Sequence, residues 1–257
     1  MQQLLKRWAV FSGVAALYIL GTGSVFAEVE WVHGKAVNRS GQVEFFEEHV
    51  INYEGDRIAN IKTVYYDADY RKIGEQVSDF AHGPQLGSYD FKDERHRYND
   101  GARVMSNQIL IYSKETATDG FKEKYLQREP RQIVGQGFHY FIVANLDSLA
   151  RGDVISAKLV LPAHLDQFDI RIGKHQMAGN RIQVRIEPDN WFLRLFTPRV
   201  DAEYDLNTRR LLSYRGLSMI ADKAGKNVEV AVSYDYSQQR PMLSSRISSS
   251  TASANRN

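Results

Sequence analysis

The sequence predicts a mainly β protein, a curved antiparallel sheet or incomplete β-barrel with one packed α-helix over about residues 134–150. Three observations carry that expectation. Strict alternation in Arg181-Ile182-Gln183-Val184-Arg185-Ile186-Glu187, in Phe168-Asp169-Ile170-Arg171-Ile172 and along Val228 to Tyr234 gives each run one apolar and one polar face. Antiparallel sheets, packed on one side and wet on the other, meet that demand. Turn-forming clusters recur between the runs, at Glu54-Gly55-Asp56, Asn99-Asp100-Gly101, Arg151-Gly152-Asp153, Ala178-Gly179-Asn180 and Lys223-Ala224-Gly225. From residue 152 to 236 the connections are too short for crossover helices, so a meander is expected and a doubly wound parallel sheet is not. One segment leaves the two-residue rhythm: Val134, Phe138, Phe141, Ile142, Asn145, Leu146 and Leu149 fall at helical spacing between Pro130 and Gly152.

Taken in chain order, the first segment reads as an export signal. Lys6 and Arg7 precede an uncharged stretch from Trp8 to Leu20, and small residues lead to Ala27, where cleavage is expected. That stretch is shorter than the roughly 20 apolar residues that span a bilayer, so no permanent membrane anchor is expected. Strands follow over Gln42–Tyr53, Ile58–Tyr66, Ile73–Phe80 and Arg103–Tyr112. Asp119 to Gln127 reads as a shorter second helix. Gly135 and Gly137 mark the start of the main helix. Trp191-Phe192-Leu193-Arg194-Leu195-Phe196 is apolar on both faces when drawn as a strand, which suits either a strand covered on both sides or one with a face lining a cavity. Beyond Tyr236 the chain becomes polar, serine-rich and aperiodic. Residues 28–237 are thus expected to form a single domain and residues 238–257 a disordered tail.

Composition narrows the chemistry. The 257 residues include no cysteine, which excludes thiol catalysis, cysteine-built zinc or iron–sulfur sites, disulfide frameworks and a lipoprotein anchor. The formal charge of +2 belongs to the signal, because removing residues 1–27 takes away Lys6 and Arg7 and no acidic residue. A balanced chain offers no basic excess for nucleic acid. Export without cysteine points to a bacterial periplasm.

No Gly-x-Ser-x-Gly elbow or phosphate-binding glycine loop is present. The histidines, His33, His49, His82, His96, His139, His164 and His175, stand singly, without the close spacing of metal-ligand pairs, so no metal or cofactor is expected. Asp67-Ala68-Asp69 begins like a calcium loop, but Arg71 stands where a third oxygen ligand belongs and Ser78 replaces the closing glutamate. The acidic and basic residues between Tyr65 and Gly101 therefore read as a solvated, salt-bridged hairpin. Asp79, His82 and Asp90 are the residues that acid/base chemistry in the 67–96 region would use. For binding, Trp191, Phe192, Leu193 and Phe196, joined by Tyr204 and Tyr214, form the candidate wall for an apolar ligand.

The C-terminal meander, Asp201-Ala-Glu-Tyr204-Asp205 to Arg210-Leu211, Tyr214-Arg-Gly216 and then Val228-Glu-Val230-Ala-Val232-Ser-Tyr234, resembles that of uncharacterised bacterial periplasmic proteins. Its Tyr-Asp, turn, Arg-Leu and final-strand order is also similar to the half-barrels of lipoprotein carriers of the LolA/LolB type. The resemblance spans Ile133 to Tyr236, has no catalytic motif to carry over, and implies a concave apolar face able to take an acyl chain. The expected function is non-catalytic binding of an apolar or lipid-like ligand, or of an envelope protein partner. The alternatives are an enzyme acting on an envelope polymer and an envelope assembly scaffold.

Overall fold

The computed structural model describes residues 27–190, 192 and 199–242. Strands β1 (Ala27–Val37), β2 (Val43–Glu54), β3 (Arg57–Tyr66), β4 (Lys72–Asp79), β5 (Ser88–Asp93), β6 (Tyr98–Val104), β7 (Gln108–Lys114) and β8 (Lys122–Gln127) each pair antiparallel with the next. β9 (Gln132–Val134) leads into helix α1 (Gly137–Arg151). A second meander follows, of β10 (Ile155–Leu161), β11 (Asp166–Ala178), β12 (Arg181–Pro188), β13 (Val200–Asp205), β14 (Leu211–Ala221) and β15 (Asn227–Asp235). β15 returns beside β1, so the two meanders join into one 15-stranded sheet running from β8 through β1 and β15 to β9.

That sheet curls until its two ends meet. Lys124 of β8 pairs with Asp166 of β11 at 3.0 Å, and Gln132 of β9 donates to the Gln127 carbonyl at the end of β8 and to Gln167 at 2.7 Å. Leu126, Val134 and Val160, from β8, β9 and β10, share one apolar core. The result is a barrel-like body whose closing contacts are side-chain packing and polar bridges.

The helix fills the concave side of the second meander. Phe141, Ile142, Leu146 and Leu149 pack on Ile170, Ile172, Ile182 and Val184, the inward residues of β11 and β12. Full burial of each such side chain contributes roughly 1.5–3 kcal/mol. The chain reaches this position through a tight passage. The Val134 N–H donates to the Gln85 carbonyl at 3.0 Å, Gly135 takes the left-handed φ of +53°, and Gly137 lies so close to the β4–β5 loop that a Cβ there would sit 2.3 Å from the Gln85 oxygen. Among the described residues no helix is long and apolar enough to cross a membrane.

Several expectations need correction. Lys122–Gln127 is the strand β8, because its backbone is taken up by the ladder with β7, which overrides the local helical preference of Lys-Glu-Lys. Arg103–Tyr112 is not one strand but parts of two, β6 and β7, turned by Met105-Ser106-Asn107, which contains no glycine or proline to announce it. Of the tail expected to be disordered over 238–257, residues 238–242 are described and make contacts, with Met242 buried; residues 243–257, like residues 1–26 of the expected export signal, lie outside the described residues. Of the expected strand at 191–196, Trp191, Leu193 and Phe196 lie outside the described residues.

The Gly137 contact yields a stability prediction. Gly137→Ala forces a methyl against a backbone oxygen that cannot rotate away, and is expected to cost about 1–3 kcal/mol in urea denaturation, in the range of core overpacking.

Candidate functional site

The inward face of β2 reads Phe45, Glu47, His49, Ile51, so two ionisable residues occupy positions that the alternation assigns to the interior. Across the sheet His49 faces Thr63 on β3, and Thr63 faces Gln76 on β4. Ser78 lies two residues further along β4. The start of α1 brings Gln136 into this row, and one directed chain of hydrogen bonds results. Gln76 Nε2 donates to Ser78 Oγ at 3.1 Å, Ser78 Oγ to Gln136 Oε1 at 2.7 Å, and Gln136 Nε2 to Thr63 Oγ1 at 2.8 Å. Thr63 Oγ1 lies 2.8 Å from His49 Nδ1, and His49 Nε2 lies 3.1 Å from a Glu47 carboxylate oxygen. A neutral imidazole facing a carboxylate keeps its proton on Nε2, which leaves Nδ1 to accept the Thr63 hydroxyl proton. Every donor therefore points toward Glu47, which also receives the Tyr234 phenol.

Glu47, His49 and Thr63 have the bond order of an acid–base–hydroxyl triad. Thr63, however, is 0% exposed, and the Gln136 amide occupies its hydroxyl. A reacting carbonyl has no room beside that oxygen, so the chain's chemistry is to hold the helix start in place. At its head, the buried Gln76 Oε1 has no partner among the described residues.

His139, two residues into α1, stacks on Tyr204 with ring centroids 5.6 Å apart and planes at 17°. Burial, aided by nearby His49, holds its imidazole down at about 4. Tyr140 packs edge-on against Phe80 and hydrogen-bonds Tyr53. Tyr53 in turn donates to Glu30 at 3.4 Å, and Glu30 pairs with Arg210 at 2.9 Å. Burial, with Glu30 close by, pushes the Tyr53 phenol up to about 12.

Phe138, Tyr214, Tyr234, Val200 and Leu211 pack against the cores from inward-facing positions yet remain partly open to solvent. Burial, with Glu47 nearby, lifts the Tyr214 phenol to about 12.

The residues singled out in the sequence are distributed differently. Tyr204 is fully buried beneath His139, and Tyr214 is on the inner wall with its hydroxyl donating to the Leu217 carbonyl at 2.9 Å. Phe192 is exposed on the turn after β12. Asp79 ends β4 on its outer face and accepts the Ala81 N–H, His82 stands exposed in the next turn, and Asp90 is on the outer face of β5 opposite Val77. They line no common cleft. The failed calcium loop is explained: the Arg71 guanidinium fills it, bonding Asp67 and Asp69 at 2.9 and 2.8 Å. Among the described residues no cluster of three or more histidine or carboxylate side chains is placed to hold a metal ion. The residues that do converge form no local motif, because they come in ones and twos from separate strands, Glu47 and His49 on β2, Thr63 on β3, Gln76 and Ser78 on β4. Their signal was parity, Glu47 and His49 sharing the register of Phe45 and Ile51.

Fold and site together define a mostly β, barrel-like protein with a helix seated in its concave face. No protein-family model matches the chain, and no curated protein matches it. It is similar to a beta-barrel-like protein of the domain of unknown function DUF1849 from Brucella abortus, at 9% identity and a TM-score of 0.38, covering 82% of this chain and 98% of that one.

Two measurements test the site. Thr63→Val keeps the shape but strands His49 Nδ1 and the Gln136 amide, and is expected to cost about 1–3 kcal/mol in denaturant titrations; nitrogen shifts of the wild-type His49 ring should report the Nε2–H tautomer. For His139 the unfolded ring takes a proton near 6.5 and the folded one only near 4, so its contribution is intact above 6.5 and is lost as pH falls toward 4. Buried Asp100, raised to about 6 by burial and by Asp90, works in the opposite sense. The His139 share is therefore read as a difference: His139→Phe should lose less stability than wild type between pH 6.5 and 4.

Proposed function

We propose that the protein is a non-catalytic binding protein of the bacterial envelope, exported to the periplasm, that takes an apolar or lipid-like ligand against the inner face of its curved sheet. The observation that carries this reading is the set of inward-facing Phe138, Tyr214 and Tyr234 that keep solvent access beside Val200 and Leu211. Aromatic and aliphatic walls with a few fixed polar groups are the usual lining of small-molecule sites. Here the polar groups are the Tyr214 and Tyr234 phenols and the Glu47 carboxylate. Trp191, Phe192, Leu193 and Phe196, with their apolar sequence pattern, belong to the same proposal on that pattern alone. The sequence pattern that resembles half-barrel carriers of the LolA/LolB type supports the same reading.

Binding is favoured over envelope-polymer hydrolysis, because Asp79, His82 and Asp90 are spread over an outer face and an exposed turn. Protein purified from the periplasm should release an amphiphile on organic extraction and show a matching added mass in native mass spectrometry. Tyr214→Ala should weaken binding of a fluorescent long-chain fatty acid about tenfold, equivalent to roughly 1.4 kcal/mol. A wild-type protein that carries no amphiphile and binds no such probe would overturn the reading.

A further inference from the structure

β1 is longer than its pairing with β15. Its ladder with β2 runs from Ala27 to Val37, whereas the ladder with β15 covers His33 to Val37 and stops at the His33–Asp235 pair. An Asp235 carboxylate oxygen accepts the Ser237 N–H at 2.8 Å and turns the chain off the sheet there. Beyond that point β1 and the start of β14 face each other without a backbone ladder, and side chains span the seam. Arg210, just before β14, pairs with Glu30 of β1 at 2.9 Å and lies 4.6 Å over the Tyr236 ring, whose hydroxyl donates to the Leu211 carbonyl at 3.0 Å. The Trp31 N–H, which a continuing strand would have bonded, donates instead to the side-chain oxygen of Gln239 at 3.2 Å. Met242, three residues on, donates its N–H to the buried Glu48 on the outer face of β2.

The seam leads inward. Glu30 accepts from Tyr53, and Tyr53 bonds Tyr140 on the first turn of α1, next to His139. The turn carrying Arg210 is itself suspended between two partners. Arg209, at a φ of +59°, holds Asp147 of the helix at 2.8 Å, while Arg210 holds β1. Half-exposed ion pairs of this kind contribute little stability, roughly 0–1 kcal/mol each, and open easily.

We propose that this seam between the N-terminal half of β1 and the start of β14 is a lateral gate to the barrel interior, latched by Arg210–Glu30, Tyr236 and the C-terminal segment 237–242. The proposal rests on the interior-binding reading and assigns the route by which an elongated amphiphile reaches that site. A break in a sheet held by side chains opens without rupturing ladder hydrogen bonds, and a lateral opening lets a long chain enter sideways rather than thread along the barrel.

The test uses the full-length protein with the Arg210→Glu variant, which sets two carboxylates against each other, and the double variant Glu30→Arg/Arg210→Glu, which restores an opposite pair. With a fluorescent long-chain fatty acid in stopped flow, Arg210→Glu should raise both association and dissociation rates about tenfold while the equilibrium affinity stays within about twofold; the double variant should return both rates toward wild type. Gln239→Ala should act in the same direction. Hydrogen exchange supplies a readout that needs no ligand: the Trp31 amide, whose hydrogen bond crosses the seam, should exchange faster in Arg210→Glu, with residues 33–37 unchanged. Probe binding that depends on Tyr214 but has rates indifferent to Arg210→Glu would sink the gate and leave the binding site standing. Absence of probe binding in wild type would sink the binding reading, and unaltered exchange at the Trp31 amide would sink the gate by itself.

Discussion

A sheet of 15 strands encloses more space than its own side chains can fill, and the fold turns on how that space is occupied. In closed barrels of about eight strands, inward side chains alone fill the interior, and wider barrels hold something else. Here that object is α1, whose Phe141, Ile142, Leu146 and Leu149 supply the apolar volume that Ile170, Ile172, Ile182 and Val184 cannot supply across the concavity. The glycines at 135 and 137 follow from this demand, since the helix must begin within touching distance of the β4–β5 loop. So does the Arg209–Asp147 pair, which ties the far side of the same helix to the β13–β14 turn.

Filling the interior with a helix brings its first backbone donors and the polar Gln136 into a dry region, where an unpaired amide is costly. The answer is the row His49, Thr63, Gln76 and Ser78, which meets Gln136 with a donor and an acceptor at the right places. Because each group donates to the next and the last acceptor is a carboxylate, the dipoles align toward a single negative charge and reinforce one another. The same directionality fixes how the helix start can sit. Were Gln136 turned over, Ser78 and Thr63 would each have to reverse their bonds, and His49 Nδ1 would have to donate to Thr63 rather than accept from it.

Much of this architecture was readable from the chain and some was not, for definable reasons. The strands of the second meander and the helix declare themselves because alternation and 3.6-residue spacing are local properties, and Ile182, Val184 and Ile186 or Phe141, Leu146 and Leu149 express them without interference. β8 does not, since only Leu126 among its residues reaches the core and the remaining five answer to a ladder with β7 that no local window contains. The site fails to declare itself for the same reason on a larger scale. Thr63 and Gln136 are 73 positions apart and meet only because the sheet curls and the helix is threaded through it. Single histidines at 49 and 139 look alike in sequence. The fold sets one against a carboxylate and the other against a phenol ring.

The balance of charge acquires a structural meaning in the same way. On the second meander the basic residues of adjacent strands are set against acidic ones across the ladder, Arg171 against Glu187 and Arg185 bidentate to Asp201, at exactly opposed register positions. A slip of one residue would move these pairs to the wrong face together with the apolar residues that alternate with them. Each pair therefore contributes more to choosing the register than to stability, because its ions are at least partly hydrated. The inner face follows a different rule. Its carboxyl groups, Glu30, Glu47 and Asp100, and the imidazole of His139 are met by tyrosines rather than by lysine, with Arg210 reaching Glu30 from the rim. Phenols can hydrogen-bond a buried carboxylate while adding apolar area, which a guanidinium does only at a larger desolvation cost. The outer face thus uses opposite charges to set alignment, and the inner face uses tyrosine to combine polarity with packing.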